Sequence, residues 1–138
     1  MLGEVQSNCK RHVVEVTTKV THLFTDASLK GFGAVAFLHN GRVATMAGAW
    51  SGNAMLNNIN ELETFAVERA LWSLDMDEHV FLHVDNTTAI AAFKKRRSKN
   101  YAVNFAVLRS LQCKYKIVGI CYVKSKENVA DPFSRMFQ

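Results

Sequence analysis

Proline is almost missing from this chain: among 138 residues there is one, Pro132. It falls where a terminal helix is expected to begin, in a first turn that tolerates a missing N–H. Cysteine is scarce too, and Cys9, Cys113 and Cys121 form an odd set without metal-like pair spacing, so they read as free thiols in a reducing compartment. No apolar run approaches the roughly 18 residues of a membrane-spanning helix, and the first residues lack the apolar centre of a signal peptide. The expectation is a soluble, intracellular protein or a piece cut from a longer one. There is no internal repeat and no low-complexity segment.

What is present is an ordinary globular balance, 49% hydrophobic and 21% charged, which argues against disorder. The length suits one domain with a single buried core. The net charge of +5 is local, because Lys94, Lys95, Arg96, Arg97 and Lys99 alone carry five positive charges and the remainder is neutral. A concentrated basic patch on a neutral body suits a polyanion, with a solvated loop as the plain alternative.

Residues 1–19 read as a lead-in or linker, with one edge strand at most around Val13-Val14-Glu15-Val16. The domain proper is 20–138. Residues 21–26 are strand-like, Gly31-Phe32-Gly33 leads into the apolar run 34–38, and Asn40-Gly41 signals a hairpin into a third strand over 42–50. A helix is expected over 61–74, capped by Asn60, with Leu62, Phe65, Ala66 and Ala70 at helical spacing. A short strand over 80–84, helices over 86–93 and 101–112, a strand over 115–123 and a terminal helix from 127 complete the order βββαβααβα. That order predicts an α/β domain with three antiparallel strands and two more joined in parallel by crossover helices.

Four acidic residues stand in distinctive settings: Asp26 in Thr25-Asp26-Ala27-Ser28, Glu61 opening Glu61-Leu62-Glu63-Thr64, Asp85 in Val84-Asp85-Asn86, and Asp131 in Asn128-Val129-Ala130-Asp131. Each sits where an element begins or ends, so the topology can gather them at one end of the sheet, where ligands of such sheets collect. Carboxylates brought together repel and take up protons unless hard divalent cations such as Mg²⁺ neutralise them. The set reads as a metal-dependent phosphodiester-cleaving site. The plain alternative for any single Asp is a turn or cap residue.

These residues and their neighbours resemble ribonuclease H over roughly positions 20 to 135. Thr25-Asp26-Ala27-Ser28 followed by Gly31-Phe32-Gly33-Ala34, Glu61-Leu62 with Ala66, Val84-Asp85-Asn86, and Asn128-Val129-Ala130-Asp131 with Ser134-Arg135 carry the resemblance. The last piece is similar to the end of ribonuclease H domains attached to reverse transcriptases of long-terminal-repeat, DIRS-like tyrosine-recombinase and hepadnaviral elements. The resemblance implies a ribonuclease H-like fold, a five-stranded mixed sheet with helices on both faces. It implies Asp26, Glu61, Asp85 and Asp131 as ligands of two Mg²⁺ ions, with Mn²⁺ as a substitute, and cleavage of the RNA strand of RNA/DNA hybrids during reverse transcription. The partners implied are the hybrid and a fused or associated reverse transcriptase, and the location is the cytoplasm or a retroelement particle.

Residues expected to contact substrate are Ser28, Asn57, Asn58, Asn86, Lys95, Arg96, Arg97 and Lys126. Lys126 stands near the position where many relatives carry a catalytic-loop histidine. His12, His22, His39, His79 and His83 lie elsewhere and read as packing or surface residues. The long basic protrusion of some cellular enzymes is missing, and the compact cluster 94–99 is expected to substitute for it. Two other readings compete: a catalytically silent module of the same fold that binds hybrid within a reverse transcriptase, and another nuclease, integrase or resolvase on that fold.

Overall fold

A computed structural model describes residues 19–52, 57–74, 79–113 and 116–137. The lead-in, with its expected edge strand, lies outside the described residues except for Lys19. The elements are β1 (Val20–Ala27), β2 (Gly31–Phe37), β3 (Val43–Ala49), α1 (Ile59–Ser73), β4 (His79–Val84), α2 (Thr87–Lys95), α3 (Tyr101–Leu111), β5 (Ile117–Tyr122) and α4 (Asp131–Ser134). The sheet order is β3-β2-β1-β4-β5. The first three strands pair antiparallel, and β4 joins β1, and β5 joins β4, in parallel. The expected fold class and element order are therefore found.

Alternation along the strands sorts the two faces. Leu23, Ala34, Ala36, Val80, Leu82 and Val84 meet Val67 and Leu71 of α1, Ile90 and Phe93 of α2, and Val103 and Val107 of α3 in the main core. Burying an aliphatic side chain of this size contributes about 1.5–3 kcal/mol. The opposite face carries Phe24, Val35 and Val123 packed with Ala130 and Phe133. Helices therefore cover both faces, three on one and the short α4 on the other.

On that second face His22 and His83 are buried, with His22 Nδ1 3.0 Å from His83 Nε2. The His83 ring stacks on Phe24 at 4.2 Å. Burial lowers the His83 pKa to about 3, helped by the neighbouring His22. These two histidines are packing residues, as expected.

The structure corrects three local expectations. The N-cap of α1 is Asn58, not Asn60. The terminal helix does not start at 127: Ser125–Glu127 form a single 3₁₀ turn and α4 begins at Asp131. Here Asn128 bonds backward to β1 through Nδ2 to the Thr25 carbonyl, 2.9 Å, and its Oδ1 accepts from the Ala130 N–H at 3.0 Å. Such local side-chain bonds compete with helix formation. Third, Cys121, expected as a free thiol, is disulfide-bonded, whereas Cys113 forms no disulfide, as expected. Pairing within an odd set is not readable from spacing, and thiol usage ceases to be an argument about compartment. No helix among the described residues is long and apolar enough to cross a membrane.

Candidate metal centre

Asp26 lies near the end of β1, opposite Gly33 of β2. A Cβ at position 33 would sit 2.5 Å from the Ser134 nitrogen and 2.7 Å from the Ala130 oxygen. Only glycine lets the Ala130–Ser134 segment approach the sheet this closely. That approach brings the buried Ser134 hydroxyl to Asp26 Oδ2 at 2.7 Å. The Asn-x-Ala-Asp-x-x-Ser run thus has a packing role: Asn128 clamps the loop to β1, Ala130 is fully buried, and Ser134 holds the first carboxylate.

The second acid is not the expected one. Glu61 belongs to a capping box: Asn58 Oδ1 accepts from the Glu61 N–H at 2.9 Å, and Glu61 Oε1 accepts from the Asn58 N–H at 3.0 Å. Its other oxygen accepts from Asn100 Nδ2 at 2.8 Å. Two residues correspond to about 200° of helical rotation, so Glu63 occupies the face that meets the sheet. It is 5% exposed, and its carboxylate lies with those of Asp26 and Asp85, ligand oxygens all within 4.8 Å of one another. A signal for this was present in the sequence. Ala66, Val67 and Ala70 are buried on α1, and the residue three, four and seven positions before them is 63, not 61.

Asp85 follows β4 directly. Its Oδ2 accepts from Ser125 Oγ at 3.2 Å, tying the 3₁₀ turn to the cluster. Asp131 opens α4 beside Asp26, with Oδ1 3.0 Å from Arg135 Nε. Asp26, Glu63, Asp85, Ser125, Asp131 and Arg135 line one open cleft of about 530 Å³. Three of the four expected carboxylates therefore share the cleft, with Glu63 in the place given to Glu61.

The cost of this arrangement appears in the acids themselves. Burial raises Asp26 to about 7; Ser134 opposes the rise, while Asp85 and Asp131 add to it. Glu63 is pushed up to about 10 by burial and then by the charges of Asp85 and Asp26, against a lowering hydrogen bond with the Ala27 backbone. Glu63 Oε1 and Asp85 Oδ1 are buried without a hydrogen-bond partner. Buried acceptors are normally satisfied. An all-oxygen set with two orphaned acceptors fits a hard divalent cation such as Mg²⁺, which these residues would hold.

The expected substrate residues divide. Ser28 lines the cleft, but its hydroxyl is engaged internally, donating to the Ser134 carbonyl at 2.6 Å and accepting from the Lys30 and Gly31 N–H groups. Asn58 caps α1. Asn86 caps α2, accepting from the Ala89 N–H, and its Nδ2 donates to Asn60 Oδ1 at 2.9 Å. Asn57 is half-buried just before the α1 cap. Lys95 and Arg97 line a separate hollow of about 690 Å³ with Thr87, Thr88, Ser98 and Lys99. Arg96 ends α2 in the left-handed conformation, φ 63°. Lys126 is exposed on the 3₁₀ turn and lines a smaller hollow with Ser125 and Asp131. Ser125, Ser134 and Arg135 had no role assigned from sequence; only the folded chain brings them to the acids.

No family model matches the chain, and no curated protein does. Solved structures do. RNase H1 from the halophilic archaeon Halobacterium salinarum NRC-1 superposes with a TM-score of 0.65 at 14% identity, covering 83% of this chain and 92% of that one. LC11-RNase H1, solved in complex with an RNA/DNA hybrid, gives 0.59 at 13% identity with the same coverages. The shared strand order, helix placement and extent make the fold of this chain ribonuclease H-like.

Proposed function

We propose that the chain is an endonuclease that cleaves the RNA strand of RNA/DNA hybrids with the help of a pair of Mg²⁺ ions, Mn²⁺ being able to replace them. The observation that carries this reading is the Asp26–Glu63–Asp85 cluster at the end of a ribonuclease H-like sheet, with buried carboxylate oxygens that no donor satisfies. Asp26, Glu63 and Asp85 would hold the ions and Asp131 would complete the set. Bound there, divalent cations supply the charge that activates a water and stabilises the leaving oxygen. Ser134 fixes the orientation of Asp26, and Ser125 does the same for Asp85. Geometry held by neighbouring hydrogen bonds costs no reorganisation when substrate arrives.

The solved neighbour that carries an RNA/DNA hybrid supports the substrate class. The cationic hollow formed by α2 and the segment that follows it, with Lys95 and Arg97 on its wall, suits the phosphates of one strand, since such contacts position a duplex without reading its sequence. Strand choice rests on 2′-hydroxyl contacts. The Asn128-Val129-Ala130-Asp131 and Ser134-Arg135 ending favours a reverse-transcribing element as the source and a reverse transcriptase as the working partner, with action in the cytoplasm or a retroelement particle.

The test is cleavage of labelled RNA/DNA hybrid, duplex RNA and duplex DNA with Mg²⁺ and with chelator. Hybrid-specific, chelator-sensitive cleavage that is lost in Asp85→Asn supports the reading. Hybrid binding with no cleavage under any metal would instead mark a silent module, and cutting of duplex DNA a different nuclease.

A further inference from the structure

Arg135 is a cation inside an acidic cleft, and nothing in the proposed chemistry yet uses it. It lines the cleft with Asp26, Glu63, Asp85 and Asp131. Its Nε lies 3.0 Å from Asp131 Oδ1, one turn of α4 away, with side-chain exposures of 57% and 31%. The residue before it, Ser134, holds Asp26 through its hydroxyl. One dipeptide thus serves two carboxylates, the buried one by a neutral donor and the outer one by a charge. The bond to Asp131 runs through Nε, and more than half of the side chain is open to solvent, so part of its planar fork stays available at the edge of the cleft.

Asp131 cannot give the same oxygen fully to a guanidinium and to a metal ion. A cation arriving at Asp131 must displace Arg135 or weaken its bond. The released fork then stands beside the place where a strand phosphate meets the carboxylates. Guanidinium recognises phosphate through paired, charge-assisted hydrogen bonds. On the nuclease reading above, we propose that Arg135 is an exchangeable counter-ion of the cleft: it neutralises Asp131 in the metal-free protein and transfers to a phosphate of the bound strand when a divalent cation takes Asp131.

Two measurements on the whole chain test this, and neither needs turnover. Mn²⁺ titration by calorimetry without nucleic acid should show Arg135→Ala binding about two- to five-fold more tightly than wild type, the scale of an exposed ion pair removed as competitor. Hybrid binding in Ca²⁺ should weaken about ten-fold in Arg135→Ala, with the slope of log affinity against log salt reduced by about one. Arg135→Lys keeps the charge without the fork, so it should preserve the salt slope and recover only part of the affinity. A purely structural Arg135 would leave metal affinity unchanged or lower it. That result, or an unaltered hybrid affinity and slope, overturns the inference while leaving the nuclease reading intact. Absence of divalent-ion binding by the wild-type protein overturns both.

Discussion

The acidic end of the sheet and the basic elbow between α2 and α3 both concentrate like charges, and the protein treats them in opposite ways. At the sheet end Asp26 and Glu63 are 3% and 5% exposed, and burial drives both to hold protons. At the elbow Lys94, Lys95, Arg96, Arg97 and Lys99 are all exposed, so water and salt screen their repulsion. At the sheet end the charges sit where the dielectric is low and two carboxylate oxygens lack a hydrogen-bond partner. At the elbow the charges are left in solvent.

The contrast breaks most sharply near the start of α1, so the largest effect is expected there. Glu63→Gln should lower hybrid cleavage by about 10²–10³-fold or more, on the scale of removing an electrostatic contributor from a preorganised site. Glu61→Ala should stay within a few-fold of wild type and cost about 1 kcal/mol of stability by opening the capping box. Single-turnover rates and denaturant midpoints for the two variants check this pair. Equal losses of activity would return Glu61 to the site.

Next in size is the elbow. Replacing Lys95, Arg96 and Arg97 together by alanine should weaken hybrid binding and flatten its salt dependence by roughly one unit of slope for each phosphate that the variant no longer neutralises. Turnover of bound substrate should change little. A large drop in the single-turnover rate at saturation would erase the division between attracting and reacting charge.

The pH dependence of stability sharpens the other side. The folded protein keeps protons on Asp26 up to about 7 and on Glu63 up to about 10, while the unfolded chain releases them near pH 4. Between those limits the native state binds more protons, so metal-free stability should fall as pH rises from about 5 through 7 and beyond. Mg²⁺ should raise the Tm, more at pH 8 than at pH 6, because it binds the ionised native cluster. Thermal melts of wild type and Glu63→Gln, with and without Mg²⁺, measure this; the variant should show a flatter pH profile and a smaller metal shift. The smallest effect is expected at Lys126. Lys126→His should raise multiple-turnover rates modestly if product release limits the rate, and Lys126→Ala should lower them slightly. Indistinguishable rates in steady-state assays would leave Lys126 as an ordinary surface lysine.

Glu63 shows why the site was harder to read than the fold. Glu61 and Glu63 are both near the start of a helix, and a short motif cannot tell which one caps and which one is buried. The apolar period of α1 carries that information, because only its phase says which side meets the sheet. Asn58 and Asn86 illustrate the same ambiguity: an asparagine beside a helix start suits a substrate contact and an N-cap equally well as sequence, and here both cap.

By itself the sequence determined the strand and helix order, the α/β class, the isolated basic patch, and three of the four carboxylates now in the cleft. Each of those rests on local rules, alternation in strands, helical spacing, turn residues and charge counting, that act over a few positions. Tertiary structure alone decided that Ser134 and Ser125 hold two of the acids, and that Arg135 pairs with the fourth. Those relations join residues up to 108 positions apart in the chain. They exist only after β4 crosses to lie beside β1 and the Asn128 clamp brings the end of the chain back onto the first strand.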